Sequence, residues 1–302
     1  ISLASRGTVF RAGKVTGERE VQGATVADLA YLMVGREVAL EAGAERPPAR
    51  AEVALELRNA RPIRSLSRLE PLSFRLHAGE ILGVAGVEGN GQSELIRLLL
   101  DPRSRLSEGA VFLHGKDISR TPGCRLRQEG AFAVFPEDRL KEALILGDSL
   151  EDNFLLGQQR SSLFRKLGFF LDRRALREAA LRAIRDFDVR PANPLAPAGS
   201  LSGGNQQKLV VGRELSGNPR FLLAAQPTRG VDIGAIEAIH ARILALRERG
   251  AAVLLISSEL DEVLRLSDRI LVLYRGRVVG SFLRADFDEK KIGLLMAGGG
   301  VS

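Results

Sequence analysis

Among 302 residues there is no tryptophan, one cysteine, two tyrosines, two methionines and three histidines. Cys124 has no partner for an internal disulfide, so a disulfide-held scaffold is excluded and nothing points to an oxidising compartment. Aromatic side chains amount to 5%, which argues against a platform on which nucleic-acid bases stack. No apolar run reaches the roughly 18–20 residues that span a bilayer. The longest, around Ile81–Val87 and Ala251–Ile256, are strand-sized. Ile1–Phe10 lacks the basic region and apolar stretch of a signal peptide.

What is present fits a folded protein of one to two domains. The chain is 45% hydrophobic and 27% charged, enough for a sizeable core and unlike a disordered or collagen-like chain. Its net charge is +7. That balance permits nucleic acid, acidic membrane surfaces or phosphorylated ligands as partners. The arginines are scattered over helix-like segments such as Arg173–Arg190, which favours a solvated basic surface.

An internal echo organises the chain. Thr8–Gly17 (TVFRAGKVTG) resembles Leu271–Gly280 (LVLYRGRVVG), and Gly13 and Gly276 lie 263 residues apart. At the same offset Leu32-Met33-Val34-Gly35 falls on Leu295-Met296-Ala297-Gly298. Each copy reads as strand, glycine turn, strand and helix. Residues 1–38 are therefore expected to be the tail of an earlier, related domain. A first residue that is Ile and not Met agrees with a piece of a longer protein. Residues 39–51 read as a linker, with a Pro pair inside the polar stretch Glu41–Ala51. Residues 52–302 are expected to form one complete domain, with a helical part at about 130–215.

Within that domain Val53–Arg58 alternates like an edge strand, and Leu72–Leu76 alternates too. Glu80–Leu100 reads as strand, glycine loop and helix. Residues 172–190 and 236–249 read as amphipathic helices, the second leading into a buried strand at Ala252–Ser257. Strands alternating with helices predict an α/β domain with a largely parallel sheet.

The loop Gly86-Val87-Glu88-Gly89-Asn90-Gly91-Gln92-Ser93, with Glu94 after it, follows the phosphate-loop spacing of Gly, four residues, Gly, Lys, Ser/Thr. Glycines let successive N–H groups face a phosphate, and the next helix adds its positive end. Ser93 stands where it meets a magnesium ion. Gln92, however, replaces the lysine, and a neutral amide cannot neutralise phosphate charge. A glycine loop alone is equally compatible with a tight turn that binds nothing.

A second run, Leu201-Ser202-Gly203-Gly204-Asn205-Gln206, opens a helix on bare backbone, where a serine N-cap with glycine turn residues is the plain alternative. It matches the ABC-transporter signature Leu-Ser-Gly-Gly-Gln with Asn205 preceding Gln206. From here the chain resembles the second nucleotide-binding domain of tandem ATP-binding subunits in bacterial ABC importers for simple sugars and nucleosides. Pro136-Glu137-Asp138-Arg139 resembles their Q-loop region, and Pro227–Ala235, with Asp232, their D-loop region. Ile256–Leu260 resembles their switch region, and Met33–Glu37 their usual domain boundary. Ala224–Thr228 leans toward the nucleoside branch.

The resemblance implies a P-loop NTPase fold of the ABC type, with an antiparallel β subdomain and a helical signature subdomain. It also implies ATP and Mg2+ as cofactors. Measured against that pattern the chain's own site is degenerate, with no catalytic group intact. Gln92 stands for the lysine, Ala225 for the magnesium-associated Asp and Gln226 for the catalytic Glu. Glu137 occupies the Q-loop glutamine position and Ser258 the switch histidine position. His77, His114 and His240 lie elsewhere and are expected on solvated or helix surfaces. No aromatic residue stands in Ala51–Leu72 to stack on adenine. A Gln cannot act as general base, a role typically worth about 10²–10⁴ in rate.

In the family two such domains sandwich ATP head to tail. The intact signature is thus expected to complete the ATP site of a first ABC domain, while this chain's loop binds nucleotide weakly. Transmembrane permease subunits are the implied partners, with an extracytoplasmic substrate-binding protein engaged indirectly. Nucleic acid is not expected as a partner. The resemblance implies a peripheral location at the cytoplasmic face of the bacterial inner or plasma membrane. Phe164–Leu171, apolar and basic, serves either as a permease-docking surface or as core of the helical part. Two other classes stay open: a soluble ABC ATPase acting on nucleic acid or the ribosome, and a non-catalytic nucleotide-sensing scaffold.

Overall fold

A computed structural model describes residues 46–63, 69–128, 132–159, 161–166 and 170–299, and the backbone of 6–11 and 14–20. Its centre is a six-stranded sheet. The strands run in the order Arg277–Leu283, Arg269–Tyr274, Ile81–Ala85, Ala252–Ser257, Phe221–Ala225 and Phe132–Phe135. All neighbouring pairs are parallel except the first, a hairpin at the edge. Three of the four inner strands, Ile81–Ala85, Phe221–Ala225 and Ala252–Ser257, are buried at every residue. Their runs of Leu, Val, Ile and Ala show no polar alternation because both sheet faces are covered. Leu82, Leu223 and Leu254 pack toward the antiparallel sheet and the helix Gln92–Leu100. Ile81, Leu222 and Val253 pack on the other face, with Ile239 and Ile243 of the helix Ile233–Glu248. Each aliphatic side chain buried in this way contributes about 1.5–3 kcal/mol.

A four-stranded antiparallel sheet carries the order Leu72–His77, Val53–Pro62, Leu106–Leu113, Lys116–Asp117. The strand beginning at Val53 is therefore internal, not an edge. Its alternation is broken because Glu56 is buried too, held between Arg58 and Arg75 at 2.7 and 2.8 Å. The helical part contains Arg139–Glu142, Leu150–Leu155, Arg173–Asp186 and Gly203–Leu215. The helix expected at 236–249 starts earlier, at Ile233, because Asp232 caps it by accepting from the Ala235 amide.

The polar stretch ahead of the domain is stapled down where it is described. Arg46 donates to the carbonyls of Arg265 and Leu266 at 2.6 and 2.5 Å, and Arg247 donates to Pro47 O at 2.6 Å. Residues 21–45, including Leu32–Gly35 and the boundary run Met33–Glu37, lie outside the described residues.

The expected histidine surfaces are corrected by the structure. His240 is buried, its Nε2 2.9 Å from Glu262 Oε1. It flanks the helix face of Ile239 and Ile243, where burial was tolerable only with a polar partner. Both ring nitrogens of His114 are also buried. His77 alone is half-exposed, 3.1 Å from Glu80. The Phe164–Leu171 run divides: Phe164 is 3% exposed and packs edge-on to Phe154, whereas Phe170 is 59% exposed. Residues 167–169 lie outside the described residues.

Candidate functional site

Four segments singled out in the sequence leave the carboxyl ends of four neighbouring strands. Ile81–Ala85 leads to Gly86, Ala252–Ser257 to Ser258, Phe221–Ala225 to Gln226, and Phe132–Phe135 to Glu137. In open α/β sheets ligands bind at this end of the strands.

The glycine loop is held in a tight backbone that requires glycine. Gly89 and Gly91 take φ of +89° and +114°, which side-chain-bearing residues rarely adopt. Gly91 is the N-cap of Gln92–Leu100. A Cβ at Gly86 would sit 2.5 Å from Gln92 Nε2 and 2.8 Å from Leu273 O, so no larger residue fits. Asn90 fastens the loop to the far hairpin: its Oδ1 accepts from the Arg275 amide at 3.0 Å, and its O from the Gly276 amide at 2.9 Å. The Gln92 side chain is 5% exposed and folds back, its Nε2 donating to Val87 O at 3.2 Å. Its Oε1 is buried without a hydrogen-bond partner. Val87, Glu88 and Gly89 are exposed at the tip.

Ser93 and Glu137 meet, the Ser93 hydroxyl donating to Glu137 Oε1 at 2.8 Å. Together they offer two hard oxygens to a magnesium ion. Ala225 offers none, and among the described residues no cluster of three or more His, Cys, Asp or Glu could hold a metal. A magnesium ion would fit at Ser93 and Glu137 only with phosphate oxygens and water completing its shell. The surroundings are acidic: partial burial, then the charges of Glu137 and Asp138, push the Glu142 carboxyl up from its ordinary range. Arg229 stands at the rim, 3.9 Å from Glu88.

Gln226 and Ser258 are in contact. Gln226 takes a φ of +47° and is fixed by its amide donating to Ile256 O at 2.8 Å. Its Oε1 accepts from the Ser258 amide and hydroxyl. No carboxylate or imidazole stands at either position, so this pair offers no general base for water.

In the signature run Ser202 alone is exposed, while Leu201, Gly204 and Gln206 are buried. Ser202 is exposed and caps Gly203–Leu215, and Asn205 Nδ2 donates to Ser202 Oγ at 3.0 Å. Asn205 Oδ1 accepts from the Arg190 amide, Leu201 is buried, and Gln206 Nε2 donates to Ala198 O. Gly203 and Gly204 are small for a reason: a Cβ would lie 2.7 Å from Arg139 Nη2 in one case and 2.7 Å from Asp232 Oδ2 in the other.

Three braces around the D-loop escaped sequence reasoning. Arg139 donates to Arg229 O at 2.8 Å, Gln207 to Pro227 O at 2.8 Å, and Thr228 to Glu262 Oε1 at 2.7 Å. Glu262 is shared with His240, tying the D-loop to two helices. These partners lie 20 to 90 positions apart, so no local spacing announces them.

A sequence model described as ABC transporter matches residues 69–229 of the chain. The chain belongs to the ABC transporter family. The chain is 39% identical over 305 residues to "Nucleoside import ATP-binding protein NupA" of Lactococcus lactis subsp. cremoris (strain MG1363), covering 100% of this chain and 59% of that protein. It is also 39% identical over 297 residues to "Guanosine import ATP-binding protein NupO" of Bacillus subtilis (strain 168), covering 98% and 58%. The chain thus spans little more than half the length of these relatives. Among solved structures, a nucleotide-free ATP-binding cassette from an ABC transporter aligns with a TM-score of 0.62 at 23% identity, covering 79% of this chain and 94% of that one. A dimeric post-hydrolysis ATP-binding cassette bound to ADP and Pi aligns at 0.63 and 20%, covering 77% and 100%. Both likenesses concern the fold, and this ABC chain has it: an α/β core, an antiparallel β subdomain and a helical region.

Proposed function

We propose that this ABC chain is the C-terminal half of a tandem ATP-binding subunit that energises uptake of a nucleoside or simple sugar. The observation that carries the reading is a duplicated hairpin. Arg6–Arg11 pairs with Lys14–Glu20 in a register that repeats in Arg269–Tyr274 and Arg277–Leu283, position for position, 263 residues later. Even the irregularity recurs, between Val9 and Phe10 in one copy and between Val272 and Leu273 in the other. A bulge is a designed feature of a strand pair, so its recurrence at one offset supports a common origin. The sequence echo of Leu32–Gly35 in Leu295–Gly298 and the greater length of the relatives agree with this.

Division of labour follows from the two sites. The Gly86–Ser93 loop holds ATP weakly, with Ser93 and Glu137 as the groups that face Mg2+. Gln92, Ala225, Gln226 and Ser258 leave it without a cation, a metal carboxylate, a base or an imidazole. The exposed Ser202 and the helix end behind it complete the ATP site of the first ABC domain. Docking on transmembrane permease subunits places the chain peripherally at the cytoplasmic face, and an extracytoplasmic substrate-binding protein selects the solute.

The test uses the full-length protein. Ser202→Asp keeps a good helix N-cap but sets a negative charge where the partner domain's ATP would lie. Steady-state ATPase activity should fall by about 10²-fold or more with Tm unchanged. Unaltered activity would refute the assignment. Gly204→Asp is a poorer probe, because its Cβ collides with Asp232 in this chain itself.

A further inference from the structure

The amino ends of the sheet strands carry a second cleft, of about 340 Å3. Ala78 precedes the strand Ile81–Ala85, Ala251 precedes Ala252–Ser257, and Arg220 precedes Phe221–Ala225. This is the end of the sheet opposite the Gly86 loop. The floor is apolar and buried, made by Ala78, Leu246 and Ala251. The rim is cationic, made by the exposed Arg50, Arg220 and Arg249.

Few of the rim donors are used. Arg220 donates to Glu52 Oε1 at 2.6 Å. Arg249 donates to Asn218 Oδ1 at 3.1 Å and to Ala245 O at 3.2 Å. Among the described residues the Arg50 side chain reaches only Arg249 O, at 3.5 Å. Each guanidinium has five N–H groups, so most have no protein partner among the described residues. Among the described residues Glu52 is the one carboxylate lining the cleft, and these residues leave an excess of two positive charges there. His114 adds an unmet need. Both its ring nitrogens are buried without a hydrogen bond, Nδ1 lying 3.7 Å from Glu52 Oε1. Burial, then the charge of Arg220, holds its pKa below the ordinary histidine range, so it presents one N–H and one lone pair. Buried polar groups left unpaired in this way are uncommon and ask for a partner.

We propose that this cleft binds an organic phosphomonoester, its phosphate held by Arg50, Arg220 and Arg249 and its apolar body resting on Leu246 and Ala251. Three planar forks present more donors than the two oxygens of a carboxylate accept, and guanidinium geometry matches phosphate bidentately. The excess of two positive charges matches the charge of about −1.5 to −2 that a phosphomonoester carries near pH 7. The floor gives the cleft what free phosphate does not need. Occupancy here is independent of whether the Gly86 loop holds nucleotide.

The experiment titrates the full chain with phenyl phosphate, inorganic phosphate and phenol while following backbone amide NMR signals. Phenyl phosphate should shift the amides of His114, Gly250 and Ala251 saturably, bind more tightly than inorganic phosphate, and outcompete phenol. Arg249→Gln should weaken it by about 10-fold or more, the worth of one charge-assisted hydrogen bond. Arg220→Gln should do the same, and Arg249→Gln keeps the test valid if freeing Glu52 harms the fold. Shifts confined to Gly89 and Gly91, equal affinity for inorganic phosphate, or undiminished binding by the Arg249 variant would each overturn the assignment.

Discussion

Gln226 Oε1 accepts hydrogen bonds from both the amide and the hydroxyl of Ser258, at 3.2 and 3.3 Å. The two residues are 32 positions apart and meet because Phe221–Ala225 and Ala252–Ser257 are adjacent parallel strands in register, Ala225 beside Ile256. A loop end that needs a base and an imidazole to split water has instead a neutral amide bonded to a serine. The contact joins an amide to a hydroxyl and a backbone N–H, with no carboxylate or imidazole in it.

Gln226→Glu in this chain should therefore leave ATP hydrolysis at background. A carboxylate at that position gains a potential base, but Ala225 still provides no metal ligand and Gln92 no cation. A radiometric or coupled phosphate-release assay decides it. A rise of about 10²-fold, the lower range of general-base catalysis, would show that the rest of the site is competent. Gln226→Ala should cost about 0.5–1.5 kcal/mol of stability at most, the net value of an ordinary hydrogen bond.

Glu137 meets the glycine loop at Ser93, whose hydroxyl donates to it. An anion beside a cradle that lacks its lysine repels phosphate unless a divalent cation intervenes. Binding of a fluorescent ATP analogue should thus be strongly Mg2+-dependent, with Glu137→Gln tightening metal-free binding by about tenfold. Equal metal-free affinities in the two proteins would show that Glu137 does not face the phosphates.

Glu262 holds Thr228 and His240 at one oxygen, with its second oxygen buried and unpartnered. Glu262→Ala strands a buried imidazole and a D-loop hydroxyl, each at a cost of about 1–3 kcal/mol. Tm should fall by several degrees, and amide exchange should quicken in Thr228–Asp232. Unchanged exchange there would mean that the D-loop is held by Arg139 and Gln207 alone.

Much of the architecture was legible in one dimension. Burial of Ala252–Ser257 was readable because a strand covered on both faces admits only apolar residues. The tight loop at Gly86–Ser93 was legible because a left-handed backbone demands glycine, as Gly89 and Gly91 show. The Val53 strand misled because an ion-paired Glu56 looks like a solvated residue in a linear pattern, and His240 misled for the same reason.

The sequence by itself determined which chemical groups exist at each position: no lysine at Gln92, no carboxylate at Ala225, no imidazole at Ser258, and a signature run intact. It also carried the 263-residue echo, since pattern survives along the chain. Only the tertiary structure decided which groups touch. Ser93 with Glu137, Gln226 with Ser258, and Thr228 with Glu262 and His240 are joined by strand order and helix packing. The arginine-rimmed cleft arises in the same way, from residues near 50, 114, 220 and 249. Side-chain contacts act over a few ångströms, while the chain distances between these partners are tens to hundreds of residues, and only folding brings the two scales together.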